Sequence, residues 1–334
     1  MSLLLPAWAV QAGWVPQESH VPGASFRAVH AASSAVVWVG GTSGACLRTV
    51  DGGTNWERLT VPNADNLDFR SVFAFDARTA VLASAGEAGR GLARICRTGD
   101  GGQTWQTVFD TAEQGVFLDA VSFWDPASGL AVGDPIDRRW YLLQTTDGGR
   151  SWERIAPAGL PLMQFGEAAF AASNSSLFLW GTSNLWIASG SAWTARVFLS
   201  PNRAKTWRVL STPIASGPTA GIFALCFWDA QHGIAVGGDH QRETNASENV
   251  LLTSDGGLHW RKGAPTNPSG LKEGVVILPG NVLLAVGPSG TSLSRNLAQS
   301  WQKVDHLRLH GLSCAQGRCW AVGDQGLIVR WRED

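Results

Sequence analysis

The chain has 334 residues, 44% of them apolar and 16% charged, with 39 Gly, 15 Pro and a net charge of −1. That length means two domains or one large all-β domain, and that composition excludes a disordered chain. A net charge near zero argues against general nucleic-acid binding, and no run approaches the ~20 apolar residues of a membrane span. Seventeen Trp stand against one Tyr, and only four of the 26 basic residues are Lys (Lys205, Lys262, Lys272, Lys303).

The first twelve residues, MSLLLPAWAVQA, are apolar and end in small residues that a signal peptidase could accept. They lack a basic n-region and contain Pro6, so a leader remnant and a segment packed on the fold both stand as readings. Next comes a lone strand-like piece, Gly13-Trp14-Val15-Pro16.

From there a unit repeats. Each copy opens with a short strand a, such as Phe26-Arg27-Ala28-Val29 or Phe69-Arg70-Ser71-Val72. An apolar strand b follows: Val36–Gly40, Ala80–Ser84, Leu130–Gly133, Leu177–Gly181, Ile234–Gly237, Leu284–Gly287 and Trp320–Gly323. Strand c then runs into an octapeptide turn. Thr49-Val50-Asp51-Gly52-Gly53-Thr54-Asn55-Trp56 returns at Thr98–Trp105, Thr145–Trp152 and Thr253–Trp260, and in decayed form at Ser200–Trp207 and Ser294–Trp301. In this pattern Asp51, Asp100, Asp147 and Asp255 accept turn N–H groups, the Gly pair supplies φ > 0, and Trp56, Trp105, Trp152, Trp207, Trp260 and Trp301 start strand d. Asn202 and Asn296 replace the acid in the decayed copies. An amide can imitate turn bonds but not acid–base chemistry, so these aspartates are read as structural.

Four antiparallel strands per unit of ~40–50 residues make a propeller blade. Seven b strands but six turn boxes leave the last unit without strand d. The segment around Trp14 is expected to supply it and close the ring. The whole chain is therefore one all-β domain, a seven-bladed β-propeller.

The octapeptide resembles the Asp-box, or bacterial neuraminidase repeat. The full unit, with its Ala-Val-Gly strand and Thr-x-Asp-Gly-Gly-x-x-Trp turn, resembles the photosystem II stability/assembly factor family. That resemblance implies a single seven-bladed propeller acting as a non-catalytic, monomeric scaffold for a protein or peptide partner, including a segment of a membrane protein. The alternative is a carbohydrate-active protein, a glycoside hydrolase or lectin. A sialidase is disfavoured: Tyr141 is the sole candidate nucleophile and no Arg-Ile-Pro segment occurs. Gly86–Gly91 has its glycines in the wrong order for a dinucleotide loop. No metal or cofactor is expected: a zinc site needs four ligands at metal spacing, and a single Cys pair at 314 and 319 does not give them. That pair flanks a turn-like tetrapeptide, and a disulfide there would favour an oxidising, extracytoplasmic compartment.

Aligned by strand a, the units give one polar column: Arg27, Arg70, Asp119, Glu167, Phe223, Glu273, His310. It is expected at the mouth of the axial channel, as a self-neutralising ring or as a binding site for Arg-recognised carboxylates. The next column, Ala28, Ser71, Ala120, Ala168, Ala224, Gly274, Gly311, is uniformly small. The b–c connections at 84–94, 133–140, 181–196 and 237–249 are read as long loops on the same face. Their Arg94, Arg138, Arg139, Trp140, Trp186 and Trp193 are hot-spot residue types and complete the candidate site.

Overall fold

The computed structural model describes residues 12–157, 159–245 and 248–333. The leader-like stretch, apart from Ala12, lies outside them.

The repeat becomes seven four-stranded antiparallel sheets. In six of them strands a to d follow one another in chain order, as in blade one: Phe26–Ala31, Val37–Gly41, Cys46–Thr49 and Glu57–Leu59. Blade seven takes strands a to c from Leu309–Ala315, Arg318–Gly323 and Ile328–Arg332, and its strand d from Gly13–Gln17. Trp14 is the Cα partner of Trp331, the two rings meet edge to face at 5.0 Å, and the Trp14 indole N–H donates to Thr291 Oγ1 at 2.8 Å. The chain thus closes its own ring and leaves the C-terminal strand no open edge.

The core lies between blades. Cys46 and Leu59 of blade one, for instance, share a buried apolar cluster with Val72 and Leu82 of blade two. Strands a crowd at the axis, which is why their second column is small. A Cβ on Gly311 would stand 2.5 Å from the Arg27 carbonyl oxygen.

The turn octapeptide is a repeated hydrogen-bond clamp. Thr145 Oγ1 donates to Asp147 Oδ1 at 2.8 Å and accepts from Gly149 N at 2.9 Å, while Asp147 Oδ1 accepts from Arg150 N and Ser151 N. In the decayed copy Asn202 Oδ1 still accepts from Ser200 Oγ and Thr206 N. Arg203 and Ala204 there adopt φ of 55° and 66°, the left-handed region that glycine fills in the intact copies. Hydrogen bonding holds Asp51, Asp100 and Asp147 ionised, with pKa values lowered to about 2; at Asp147 it does so against partial desolvation.

Blade four corrects the sequence reading. Its strand a is Leu177–Trp180, expected as strand b; strand b is Asn184–Ala188, c is Arg196–Ser200 and d is Arg208–Ser211. Two apolar runs lie close together there, and the frame slips by one strand. Residues 161–176 are consequently an insertion ahead of strand a. Blade three also differs. Strands Gly129–Ile136 and Arg139–Thr145 extend as a hairpin with only Asp137 and Arg138 between them, at φ of 51° and 60°, where a long loop was expected.

Cys314 and Cys319 are disulfide-bonded across the a–b hairpin of blade seven. No helix among the described residues is long and apolar enough to cross a membrane.

Candidate functional site

The polar column is built by β-bulges. In blades one, two, three, five and seven the register of strand a shifts by one residue, and the extra residue is Arg27, Arg70, Asp119, Phe223 and His310 respectively. A bulge re-aims the side chain that it leaves unpaired. Arg27, Arg70, Phe223 and His310 accordingly converge, with Glu273 of blade six, on a cavity of about 300 Å³ at one mouth of the axis. Sequence reasoning missed its remaining walls: Phe170, Ala171 and Ala172 from the blade-four insertion, and His240, Glu243, Arg308 and Asp324.

The insertion crosses the axis. Arg70 Nη1 donates to the Ala171 carbonyl and Ser173 Oγ to the carbonyl of Glu273, in blade six. Asn174 then bonds blade two through Val72 O and blade three through Val121 N. By register Ser176, bonded to Ala188 N, takes the small-column place expected for Ala168. Glu167 does not join the polar column. Its side chain is fully buried, paired with Arg196 and accepting from Ser189 Oγ at 2.6 Å and Gln164 N at 2.7 Å. It ties the insertion to the b–c loop instead.

Asp119 is also withdrawn from the cavity. It is 1% exposed, and its Oδ2 and Asp134 Oδ1 have no hydrogen-bond partner among the described residues. Desolvation, then the neighbouring Asp134, push its pKa well above the usual carboxylate range against the pull of Arg70. Desolvation raises Asp134 to about 6.

Inside the cavity most charges are matched. Arg308 makes two bonds to Glu243, at 2.8 and 3.1 Å, and these raise its pKa. His310 Nδ1 lies 2.6 Å from Glu273 Oε2, and its Nε2 lies 3.1 Å from Asp324 Oδ1. Burial works against the Asp324 carboxylate, but Ser25 Oγ and His310 outweigh it and hold its pKa below the ordinary value. Arg70 pairs with Asp68 at 2.7 Å. Arg27 is the least engaged cation. Among the described residues only its Nη1 has close partners, Glu273 at 3.8 Å and His310 Nδ1 at 3.4 Å. Beside these charges Phe170 and Phe223 stack at 3.9 Å and 5°, giving the cavity one apolar wall.

The loop residues fare unevenly. Trp140 is 3% and Trp186 2% exposed, because both sit on strands and point into the core. Trp140 meets Phe198 edge to face, and Trp186 stacks on Phe227 at 4.0 Å while donating to Gly256 O. Arg94 and Arg139 donate to the carbonyls of Asn63 and Leu160. Arg138 donates to Met163 O and lies 4.7 Å over the Phe165 ring. Trp193 alone of the three tryptophans is free, at 94% exposure. Tyr141 is buried under the Arg154 guanidinium, away from the cavity, and cannot serve there as a nucleophile.

Solved structures place this geometry. One, of YCF48 bound to D1 peptide, superposes with a TM-score of 0.69 at 14% identity, over 96% of this chain and 97% of that one. The chain has the fold of YCF48. YCF48 from Cyanidioschyzon merolae matches at a TM-score of 0.67 and 15% identity, over 96% of this chain and 99% of that one. The WD40 β-propeller domain of Doa1 matches at 0.63 and 13%, over 97% and 98%. No protein-family model and no curated protein sequence matches the chain. The likeness to YCF48 is therefore one of architecture.

Proposed function

We propose that this propeller is a non-catalytic scaffold that holds an acidic or carboxy-terminal peptide segment of a protein partner in its central cavity. The observation that carries the proposal is Arg27, a cavity guanidinium with Nε and Nη2 unengaged among the described residues. Its planar fork suits a carboxylate, and Arg70 extends the basic wall from the next blade. The stacked Phe170 and Phe223 offer a surface for an apolar side chain of the same segment. Among the described residues Glu243, Glu273 and Asp324 are each engaged by Arg308, His310, Ser25 or Arg27, so the open hydrogen-bonding capacity in the cavity lies on a cation and suits an anionic ligand. YCF48 with a bound peptide gives a precedent for this use of the fold.

The test is a display library of random peptides with free C-termini, panned on the wild-type chain and on an Arg27→Ala/Arg70→Ala variant. Enrichment of acidic or carboxylate-ended sequences that weakens at least about tenfold in the variant, and at high salt, is expected. Equal affinity for both proteins at both salt concentrations would refute the assignment.

A further inference from the structure

Four large apolar side chains stand exposed among the described residues: Val50, Leu162, Phe165 and Trp193. Three of them gather on blade four, on the insertion and on the b–c loop between strands Asn184–Ala188 and Arg196–Ser200. Phe165 is 81% and Trp193 94% exposed.

The backbone carrying them is held firmly. Ala168 and Gly190 exchange N–H···O bonds at 3.2 and 2.9 Å, Gln164 Nε2 donates to Thr194 O, and Arg196 Nη2 donates to Leu162 O. The buried Glu167–Arg196 pair locks the two segments together beneath their tips. These side chains are thus presented, not merely left over.

Their shape and charge identify what they meet. None of the three borders the central cavity or the neighbouring pocket lined by Arg139 and Trp140, and the exposure of Phe165 and Trp193 makes the tip a projection. Small ligands are received in concave sites. Beside the projection stand Arg138, stacked on Phe165, and Arg139, neither with a carboxylate partner among the described residues; the one acid on that turn is the exposed Asp137. Trp and Phe beside Arg are the chemistry of the bilayer interface, where an indole sits at headgroup depth and a guanidinium meets lipid phosphate. We propose that this tip is a membrane-surface anchor: Leu162, Phe165 and Trp193 enter the interfacial layer of an anionic bilayer while Arg138 and Arg139 engage its phosphates. It rests on the membrane without spanning it. The insertion that carries Phe165 reaches the cavity wall five residues later, at Phe170, so docking brings the central cavity close to the lipid surface. The anchor is independent of any peptide bound there.

Flotation with phosphatidylcholine vesicles, and with mixed phosphatidylcholine–phosphatidylglycerol vesicles, tests this. The full chain should float with the anionic vesicles. A Leu162→Ser/Phe165→Ser/Trp193→Ser variant, with an unchanged melting curve, should partition at least about tenfold more weakly, because the bilayer gains by apolar area buried. Arg138→Gln/Arg139→Gln should lose the preference for anionic lipid. A polarity-sensitive dye on Trp193→Cys should shift to the blue only with vesicles. Failure of the wild-type chain to float, equal flotation of the triple variant, or an unshifted dye would each overturn the proposal. Loss of peptide binding by the triple variant without any vesicle binding would assign the tip to a protein interface instead.

Discussion

Replacing Trp14 by Ala tests how the ring is closed. The side chain is largely buried against blade seven, meets Trp331 edge to face and donates to Thr291, which is itself fully buried. Removing about 130 Å² of buried ring area costs roughly 3 kcal/mol at ~25 cal/mol/Å². The ring pair and the hydrogen bond that leaves Thr291 Oγ1 unpaired bring the loss to about 4 kcal/mol, within the range for Trp→Ala in a core. With about 2.1 cal/mol/K of unfolding entropy per residue over 334 residues, that lowers the melting temperature by ~6 °C if the ring unfolds as one unit. Differential scanning calorimetry reads this directly. Trp14→Phe, which keeps an apolar ring but loses the hydrogen bond, should fall by only about 1–2 °C. A Trp14→Ala protein that melts within a degree of wild type would show that closure by Gly13–Gln17 does not hold the propeller together.

The turn clamp predicts that Asp147→Ala lowers stability by about 1–2 kcal/mol in chemical denaturation, whereas Asp147→Asn, the residue found in the decayed copies, loses clearly less; equal losses would contradict the acceptor role. Burial raises Asp134 to about 6, so the folded chain keeps a proton that the unfolded chain releases near pH 4. This contribution is fully present below pH 4 and is lost as pH rises through 6, so Asp134→Asn should raise the melting temperature more at pH 7.5 than at pH 4. A shift equal at both values would rule out the buried protonated acid. The Cys314–Cys319 link closes a loop of only six residues, and Cys314→Ser/Cys319→Ser should cost about 2 kcal/mol, seen as a drop of ~3 °C under non-reducing conditions.

Much of the architecture is legible because its causes are local and repeated. The Thr–Asp–Gly–Gly–Trp turn fixes one hairpin per blade, and the count of turns against b strands locates the missing strand at Trp14. The polar column is legible for Arg27, Arg70, Glu273 and His310, although alternation alone does not supply its cause; the bulges do. Blade four is misread because Leu177–Trp180 is as apolar as any strand b while the true one ends in Ala188-Ser189-Gly190. Trp140 and Trp186 are misplaced because residue type says nothing about which face of a strand a ring occupies. Arg308, Glu243 and Asp324 reach the cavity from three separate connections, a convergence that no spacing encodes. The axial insertion does leave a trace: Ala168–Ser176 is a run of small residues broken only by Phe170 and Asn174, slim enough to lie among seven crowded strands.

That insertion runs across the propeller axis. An open propeller axis would let a chain thread through from one face to the other. Here Phe170, Ala171 and Ala172 stand across the way, fastened to blades on opposite sides. The space they border measures about 300 Å³. If the cavity is the binding site proposed above, a chain terminus or a single side chain at the apex of a loop suits it better than a strand that continues through the ring.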